Sequence, residues 1–254
     1  MVVNKNRVRR KSSSATFYVP FAVVFVAFLT VLGVSVFLRI VEIEVIGASL
    51  YNGEDLIKAS GIVIGDNLLF LDINAAQQGI YRTMPYINDV IIEYRLPDKV
   101  IISVSETTAL AVIDDLGSAV VIDSSGKVLE RLDAKPAGLI ETRGYTPGSA
   151  IVGSDLKAIP GDETRLRYML DILAAIEIEG IQDDVTVIDV TNIAYISFVY
   201  LGRFTVIVGT PENVGLRLIK LPDIIADVEG REPRDENYII HIREREEIRV
   251  IPDR

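Results

Sequence analysis

The chain has 254 residues with 26 basic and 36 acidic side chains, giving a formal net charge of -10 at pH 7. An acidic surface is repelled by phosphate backbones and anionic headgroups, which argues against a nucleic-acid partner and against a domain lying on a membrane surface, so proteins are the expected partners. The absence of Cys excludes disulfides and thiolate metal sites, and the single His241 leaves little material for a Ser-His or Cys-His catalytic pair.

The N-terminal region predicts a single membrane anchor. Residues 17–38 form a run of 22 residues without a charge, and about 20 apolar residues in a helix cover the ~30 Å hydrocarbon core. A cleavable signal peptide is the alternative, but its apolar region is shorter and ends in a small-x-small site that this run lacks. Basic residues stay on the cytoplasmic side, so residues 1–16 are predicted to be a cytoplasmic tail and the rest to lie outside. The residues expected to fix this topology are Lys5, Arg7, Arg9, Arg10 and Lys11.

Residues 40–107 are predicted to form a first outer module. Alternating apolar residues predict a strand over residues 41–45, and Asn52 and Gly61 are placed to begin and end a helix over residues 53–60. A second helix is predicted after Asp72, and its apolar face comprises Ile73, Ala76, Ile80 and Met84.

The same module is predicted to end in an antiparallel hairpin. Apolar residues alternate over residues 90–94 and 100–104, and Pro97 stands at the second position of the turn between them. The order strand-helix-helix-strand-strand is a small α+β unit with exposed sheet edges, which are natural docking sites for another strand.

Residues 108–254 are predicted to form a second module around a mixed, mainly antiparallel sheet. A hairpin is expected over residues 119–131, where Asp123 and the Ser-Ser-Gly turn after it superficially resemble a calcium loop without its acid spacing. Residues 133–164 are rich in Gly and Pro and predict loops with short strands at most. Asp162 is expected to cap a helix whose apolar stripe comprises Leu166, Met169, Leu170, Leu173 and Ile176.

The C-terminal part of this module alternates strand and helix signals. Strands are predicted over residues 185–190, 194–201 and 204–208 from their β-branched and aromatic residues. A helix is predicted over residues 211–228, kinked or split by Pro222. Two last strands are expected over residues 238–243 and 248–251, the final one at a sheet edge.

Several stretches resemble the FtsQ/DivIB family of cell-division proteins. Residues 41–47 (VEIEVIG), 59–62 (ASGI) and 65–68 (GDNL), together with the hairpin carrying Arg95-Leu96-Pro97-Asp98, are similar to the POTRA domain of that family. Residues 121–129 (VIDSSGKVL) resemble the segment that opens the β domain of the family, so the resemblance crosses the module boundary.

The resemblance implies a non-enzymatic scaffold of the divisome, anchored once in the bacterial inner membrane at the septum, without cofactor or metal. Its partners would be bitopic proteins of the FtsB/DivIC and FtsL types, one of which adds a strand at the C-terminal edge, where Arg243 carries over from the family pattern and His241 departs from it. The partner-binding residues expected on this basis are Tyr238, Ile240, Ile242, Arg243, Ile248, Arg249 and Val250.

Two alternatives stay open at the level of the sequence. Arg243 and Arg249 are suited to pair with partner carboxylates, but the same arginines serve equally as solvated charges that prevent edge aggregation. The abundant acidic residues also admit a membrane-anchored envelope enzyme, a carboxylate-dependent wall hydrolase, although most of them stand in turns, at helix starts or opposite apolar strand faces.

Overall fold

The computed structural model describes residues 15–210, 213–231, 236–242 and 248–252. The five basic residues predicted to fix the topology lie outside these ranges. The chain forms two compact units, the first from Met1–Gln77 and Val90–Ser103 and the second from Gln78–Asp89 and Val104–Arg254. The domain boundary between residues 107 and 108 stays a prediction, because these two units do not test it.

The first unit begins with helix α1, Ala15–Phe37. The helix contains Pro20 in its second turn and no acidic or basic residue in its end turns. Its apolar side chains are exposed where they are described, for example Phe21 at 72%. Among the residues that the structure describes, no helix is both long and apolar enough to cross a membrane.

The strand-helix-helix-strand-strand order predicted after this helix is confirmed. The elements are β1 (Glu42–Ile46), α2 (Gly53–Ser60), a short 3-10 turn (Leu68–Phe70), α3 (Ile73–Thr83), β2 (Ile87–Arg95) and β3 (Lys99–Glu106). The strands form a three-stranded sheet in the order β1-β3-β2, in which β1 runs parallel to β3 and β2 adjoins β3 through the predicted turn.

The predicted helix ends of this region are also confirmed. The Asn52 side chain accepts a hydrogen bond from the Glu54 amide at 3.1 Å, and Gly61 ends α2 with a φ of 70°. The Asp72 carboxylate accepts from the Ala75 amide at 3.0 Å at the start of α3. Free amides at a helix start need such acceptors, so these short polar residues were readable as caps from the sequence.

Lys99 joins the two parallel strands of the small sheet. Its Nζ lies 3.0 Å from Glu42 and 2.7 Å from Glu44, both on β1. The hydrogen bond and charge of Lys99 lower the pKa of Glu44, and the same hydrogen bonds raise the pKa of Lys99. Exposed pairs of this kind contribute little stability, and here they place charges along the edge strand β1.

The second unit is built on a nine-stranded sheet in the order β12-β11-β10-β9-β8-β7-β4-β5-β6. Five neighbouring pairs are antiparallel and three are parallel, which confirms the predicted mixed, mainly antiparallel sheet. Its strands are β4 (Ala111–Asp115), β5 (Ser118–Ile122), β6 (Val128–Leu132), β7 (Ile140–Arg143), β8 (Val185–Asp189), β9 (Ser197–Tyr200), β10 (Phe204–Ile207), β11 (Tyr238–Ile242) and β12 (Ile248–Pro252).

Three helices pack on this sheet: α4 (Glu163–Ile178), α5 (Val214–Leu218) and α6 (Leu221–Arg231). Met169, Leu173 and Ile176 of the predicted stripe are buried in the core of the unit, and the other two members pack against it. The predicted interruption at Pro222 is also confirmed, because the helical segment is divided between α5 and α6 and Pro222 falls in the first turn of α6. A first-turn amide has no helical partner, so proline costs nothing there.

The predicted cap of α4 is wrong in its detail. Asp162 does stand before the helix, but its carboxylate makes no capping hydrogen bond to the helix amides. Instead the Glu163 carboxylate accepts from the Gly161 amide at 3.0 Å, and backbone hydrogen bonds lower the pKa of Glu163.

A buried lysine ties residues 78–89 into the second unit. Nζ of Lys127 donates to the Ile87 carbonyl at 2.5 Å and lies 5.7 Å from the centre of the Tyr81 ring. Burial lowers the pKa of Lys127, and the attraction of Asp123 opposes that shift. An ammonium group removed from water needs such acceptors, which explains why a lysine is tolerated in this position.

Candidate partner-docking edge of the β sheet

Strand β12 is the terminal strand of the nine-stranded sheet. It pairs antiparallel with β11, which in turn pairs parallel with β10. No other strand among the described residues pairs with the outer side of β12. An edge strand of this kind presents a row of backbone donors and acceptors that a strand of another chain can occupy.

Three of the predicted docking residues have buried side chains. Tyr238, Ile240 and Ile242 on β11 are no more than 5% exposed and belong to the core of the second unit. The Tyr238 ring stacks on Phe204 of β10 with 6.2 Å between ring centres. These side chains therefore hold β11 on the sheet, and a partner does not reach them from outside.

The other predicted docking residues lie on or before β12. In the β11–β12 register Ile248 stands opposite Ile242, Arg249 opposite His241 and Val250 opposite Ile240. Arg243 lies outside the described residues. The structure thus brings Ile248, Arg249 and Val250 together on the edge strand itself, one strand further out than the buried part of the predicted set.

Arg217 on α5 clamps the ends of β10 and β11. Its guanidinium donates to the carbonyls of Val208 at 2.8 Å, Thr210 at 2.6 Å and Ile242 at 3.3 Å. Hydrogen bonds from a charged donor are stronger than neutral ones. The clamp holds the last residue of β11, immediately before the connection to the edge strand.

Arg217 is not among the functional residues predicted from the sequence. All three acceptors are backbone carbonyls, and two of them follow β10 while the third ends β11. A carbonyl acceptor has no sequence signature, so only the position of a lone arginine on the apolar α5 segment could have drawn attention to it.

A second support fixes the start of β11. The Tyr238 amide donates to the Arg203 carbonyl at 3.1 Å. The Arg203 guanidinium bonds Glu229 of α6 at 2.6 Å and lies over the Phe204 ring, 4.4 Å from its centre. These contacts join α6 to the β9–β10 turn, which is hydrogen-bonded to the first residue of β11.

A cleft of about 270 Å³ opens beside β11. It is lined by Ala194, Tyr195, Ile207, Val208, Gly209, His241 and Ile242. Tyr195 is 63% exposed at its margin, and His241 is half-buried.

The turn that superficially resembled a calcium loop has a structural role. One Asp123 oxygen accepts from the Ser125 amide, the Ser125 hydroxyl and the Lys127 amide at 3.0, 2.7 and 2.9 Å, and the other accepts from the Thr107 hydroxyl at 3.0 Å. Both oxygens are engaged by protein donors. Within the described part of the chain no group of His, Cys, Asp and Glu is arranged to hold a metal ion.

Comparison with known proteins finds a matching family model and several similar proteins. Residues 38–107 match the family model described as POTRA domain, FtsQ-type. The chain is 27% identical to the cell division protein DivIB of Clostridium acetobutylicum over 190 residues, which are 74% of each protein. It is 26% identical to DivIB of Clostridium tetani over 204 residues, which are 80% of this chain and 76% of the relative.

A third relative is the cell division protein FtsQ of Corynebacterium glutamicum, which is 32% identical over 142 residues, 54% of this chain and 63% of the relative. All three aligned stretches are much longer than residues 38–107. The similarity is therefore not confined to the first outer module.

Proposed function

Because the chain belongs to the FtsQ/DivIB family of cell division proteins, we propose that it is a scaffold of the bacterial division machinery. In this proposal its units outside the cytoplasm bind other division proteins at the septum and carry out no reaction themselves. The observation that carries the proposal is the position of β12 at the open end of the nine-stranded sheet.

The proposed partners are bitopic proteins of the FtsB/DivIC and FtsL types, and one of them adds a strand along β12. Backbone hydrogen bonds supply affinity in this mode, and side chains beside the strand supply selectivity. Arg243 and Arg249 are proposed to select partner carboxylates, since arginine binds a carboxylate with two parallel hydrogen bonds. Tyr238, Ile240 and Ile242 act indirectly, because their burial holds β11 under the edge strand.

The membrane anchor is part of the same proposal and rests on the sequence. Residues 17–38 carry no charge, and the basic residues before them favour a cytoplasmic N-terminus. The chain is then a single-pass protein of the cytoplasmic membrane, with residues 39–254 held outside.

The docking edge is tested by removing residues 243–254 from the full-length protein. This truncation takes away β12 and leaves the buried residues of β11 in place. We expect it to abolish co-purification with the FtsB/DivIC-type partner while membrane insertion and the thermal unfolding of the second unit are retained. A truncated protein that still captures the partner would contradict the assignment.

Proline substitutions test the same edge without shortening the chain. Successive residues of a strand direct their amides to opposite sides, so Arg249→Pro and Val250→Pro differ in the hydrogen bond they remove. Where the replaced amide faces β11, proline removes a hydrogen bond within the sheet. Where the amide faces away from β11, proline removes only a donor that a partner strand would use. The substitution whose amide faces away from β11 should prevent partner binding at unchanged thermal stability. Arg249→Ala and Val250→Ala are the matched controls, because they change the side chain and keep the backbone amide.

The role in division is tested in cells. Depletion of a division scaffold gives filaments that continue to replicate their DNA, and a variant lacking residues 243–254 should fail to restore division. Purified protein should leave isolated cell wall unchanged. Release of wall fragments by the purified protein would favour the envelope-hydrolase alternative instead.

A further inference from the structure

Four apolar side chains project from one loop of the first unit. The apolar loop is defined as residues 62–71, and within it Phe70 is 81%, Ile64 66%, Val63 61% and Leu69 61% exposed. Single exposed apolar residues are common, but several in one short loop mark a surface that contacts another apolar phase. Ile62 and Leu68 of the same loop are buried and hold it on the unit.

The apolar loop is hydrogen-bonded to the last residue of the uncharged run 17–38 and to Ile40, which follows the run. The Leu68 amide donates to the Leu38 carbonyl, and the Gly65 amide donates to the Ile40 carbonyl, both at 2.8 Å. The Ile40 amide donates to the Asp66 carbonyl at 2.8 Å. The Ile40 side chain is only 1% exposed, so this junction is part of the fold and no flexible linker separates the run from the loop.

This attachment fixes the distance between the loop and a bilayer. The polar headgroup layer on each side of the hydrocarbon core is about 5–8 Å deep. Leu38 is the last residue of the uncharged run, and the backbone of Leu68 lies one hydrogen bond away from it. The apolar loop therefore lies at the depth of the headgroups whenever the run spans the membrane.

We propose that the apolar loop inserts Val63, Ile64, Leu69 and Phe70 into the outer headgroup–acyl boundary of the membrane. The inference rests on the membrane anchor of the proposed function and goes beyond it. It makes the first unit a lipid-contacting domain with a fixed orientation to the bilayer. The occupant of the loop surface is lipid, because the loop is continuous with the anchor and has the apolar character that this layer accepts.

The charges of the loop allow this contact despite the acidic balance of the chain. Asp66 is the one ionisable residue among residues 62–71, and its carboxylate accepts from the Val63 amide at 3.0 Å. Repulsion from anionic headgroups limits the free binding of an acidic protein, but a tethered loop needs no such binding step. Zwitterionic lipid is therefore a sufficient partner, and the contact does not depend on salt.

The chain contains no Trp, which permits a clean fluorescence test. Phe70→Trp and Leu116→Trp are each introduced into the full-length protein, which is reconstituted in phosphatidylcholine vesicles with or without bromine on the acyl chains. Leu116 is 94% exposed in the turn after β4 and serves as the matched control. Both positions are exposed, so neither substitution disturbs a core.

The expected result is emission from Phe70→Trp that is blue-shifted and quenched by the brominated lipid, together with red, unquenched emission from Leu116→Trp. Unquenched emission from both variants, or equal quenching of both, would overturn the loop contact. Blue-shifted emission without lipid quenching would show that protein covers the loop and would overturn the proposal as well.

An alkaline wash of the same vesicles separates this proposal from the anchor on which it rests. Protein removed by the wash would refute the anchor, and the loop contact with it. Protein retained by the wash with an unquenched Phe70→Trp would refute the loop contact alone and leave the anchor standing.

Discussion

Replacement of Arg217 by Met should detach β11 and the docking edge from their support. Met keeps most of the apolar stem of Arg217 but donates no hydrogen bond to the carbonyls of Val208, Thr210 and Ile242. A hydrogen bond from a charged donor contributes about 1.5–3 kcal/mol. One of the three contacts is long at 3.3 Å and another is solvent-exposed, so we expect the three together to contribute about 2 kcal/mol.

Hydrogen exchange of the full-length protein in detergent measures this effect locally. A loss of about 2 kcal/mol in the opening free energy corresponds to roughly 30-fold faster exchange of the amides of β11. Peptides that cover β4 and β5 serve as an internal reference and should exchange at the wild-type rate. Capture of the FtsB/DivIC-type partner should weaken in parallel, because β11 carries the edge strand.

Arg231→Met is the matched control for this experiment. Arg231 pairs with Asp227 at 2.7 Å, but its side chain is 74% exposed and the pair spans one turn of α6. Exposed helix pairs of this kind contribute about 0.3–0.5 kcal/mol, so exchange should change by less than about threefold. Exchange of β11 within about threefold of wild type in Arg217→Met as well would refute the clamp.

Two further predictions concern stability. Gly144→Ala should lower the free energy of unfolding by at least about 2 kcal/mol more than Gly138→Ala. Both glycines have φ near 80°, but only a Cβ at Gly144 meets the backbone of Thr191. Urea unfolding of the two variants measures the difference. Burial, aided by Asp184, raises the pKa of Tyr200 to about 12. The unfolded chain therefore ionises first, and stability falls as the pH rises through the unfolded pKa. Between pH 8 and pH 11 the wild type should lose about 1.4 kcal/mol more than Tyr200→Phe, a difference that urea midpoints at both pH values would reveal.

The local elements were predictable because their signals lie within a few residues of each other. Asn52 and Asp72 begin helices where they were expected, since a capping side chain needs only the two or three amides that follow it. The division of the last helical segment at Pro222 follows from one missing amide. Asp162 shows the limit of this reasoning, because its neighbour Glu163 offers an equivalent carboxylate that bonds the preceding glycine instead.

The site was predictable only in part because its geometry depends on pairing between distant strands. The pattern of residues along the chain was enough to predict an edge position for the last strand, to locate an uncharged run before the first module, and to exclude Cys chemistry. The folded chain was needed to show that β11 is buried between β10 and β12, that Arg217 clamps it, and that the apolar loop adjoins the end of the uncharged run. Strand order and backbone acceptors arise from contacts across long stretches of chain, and the pattern of side chains along any one segment does not encode them.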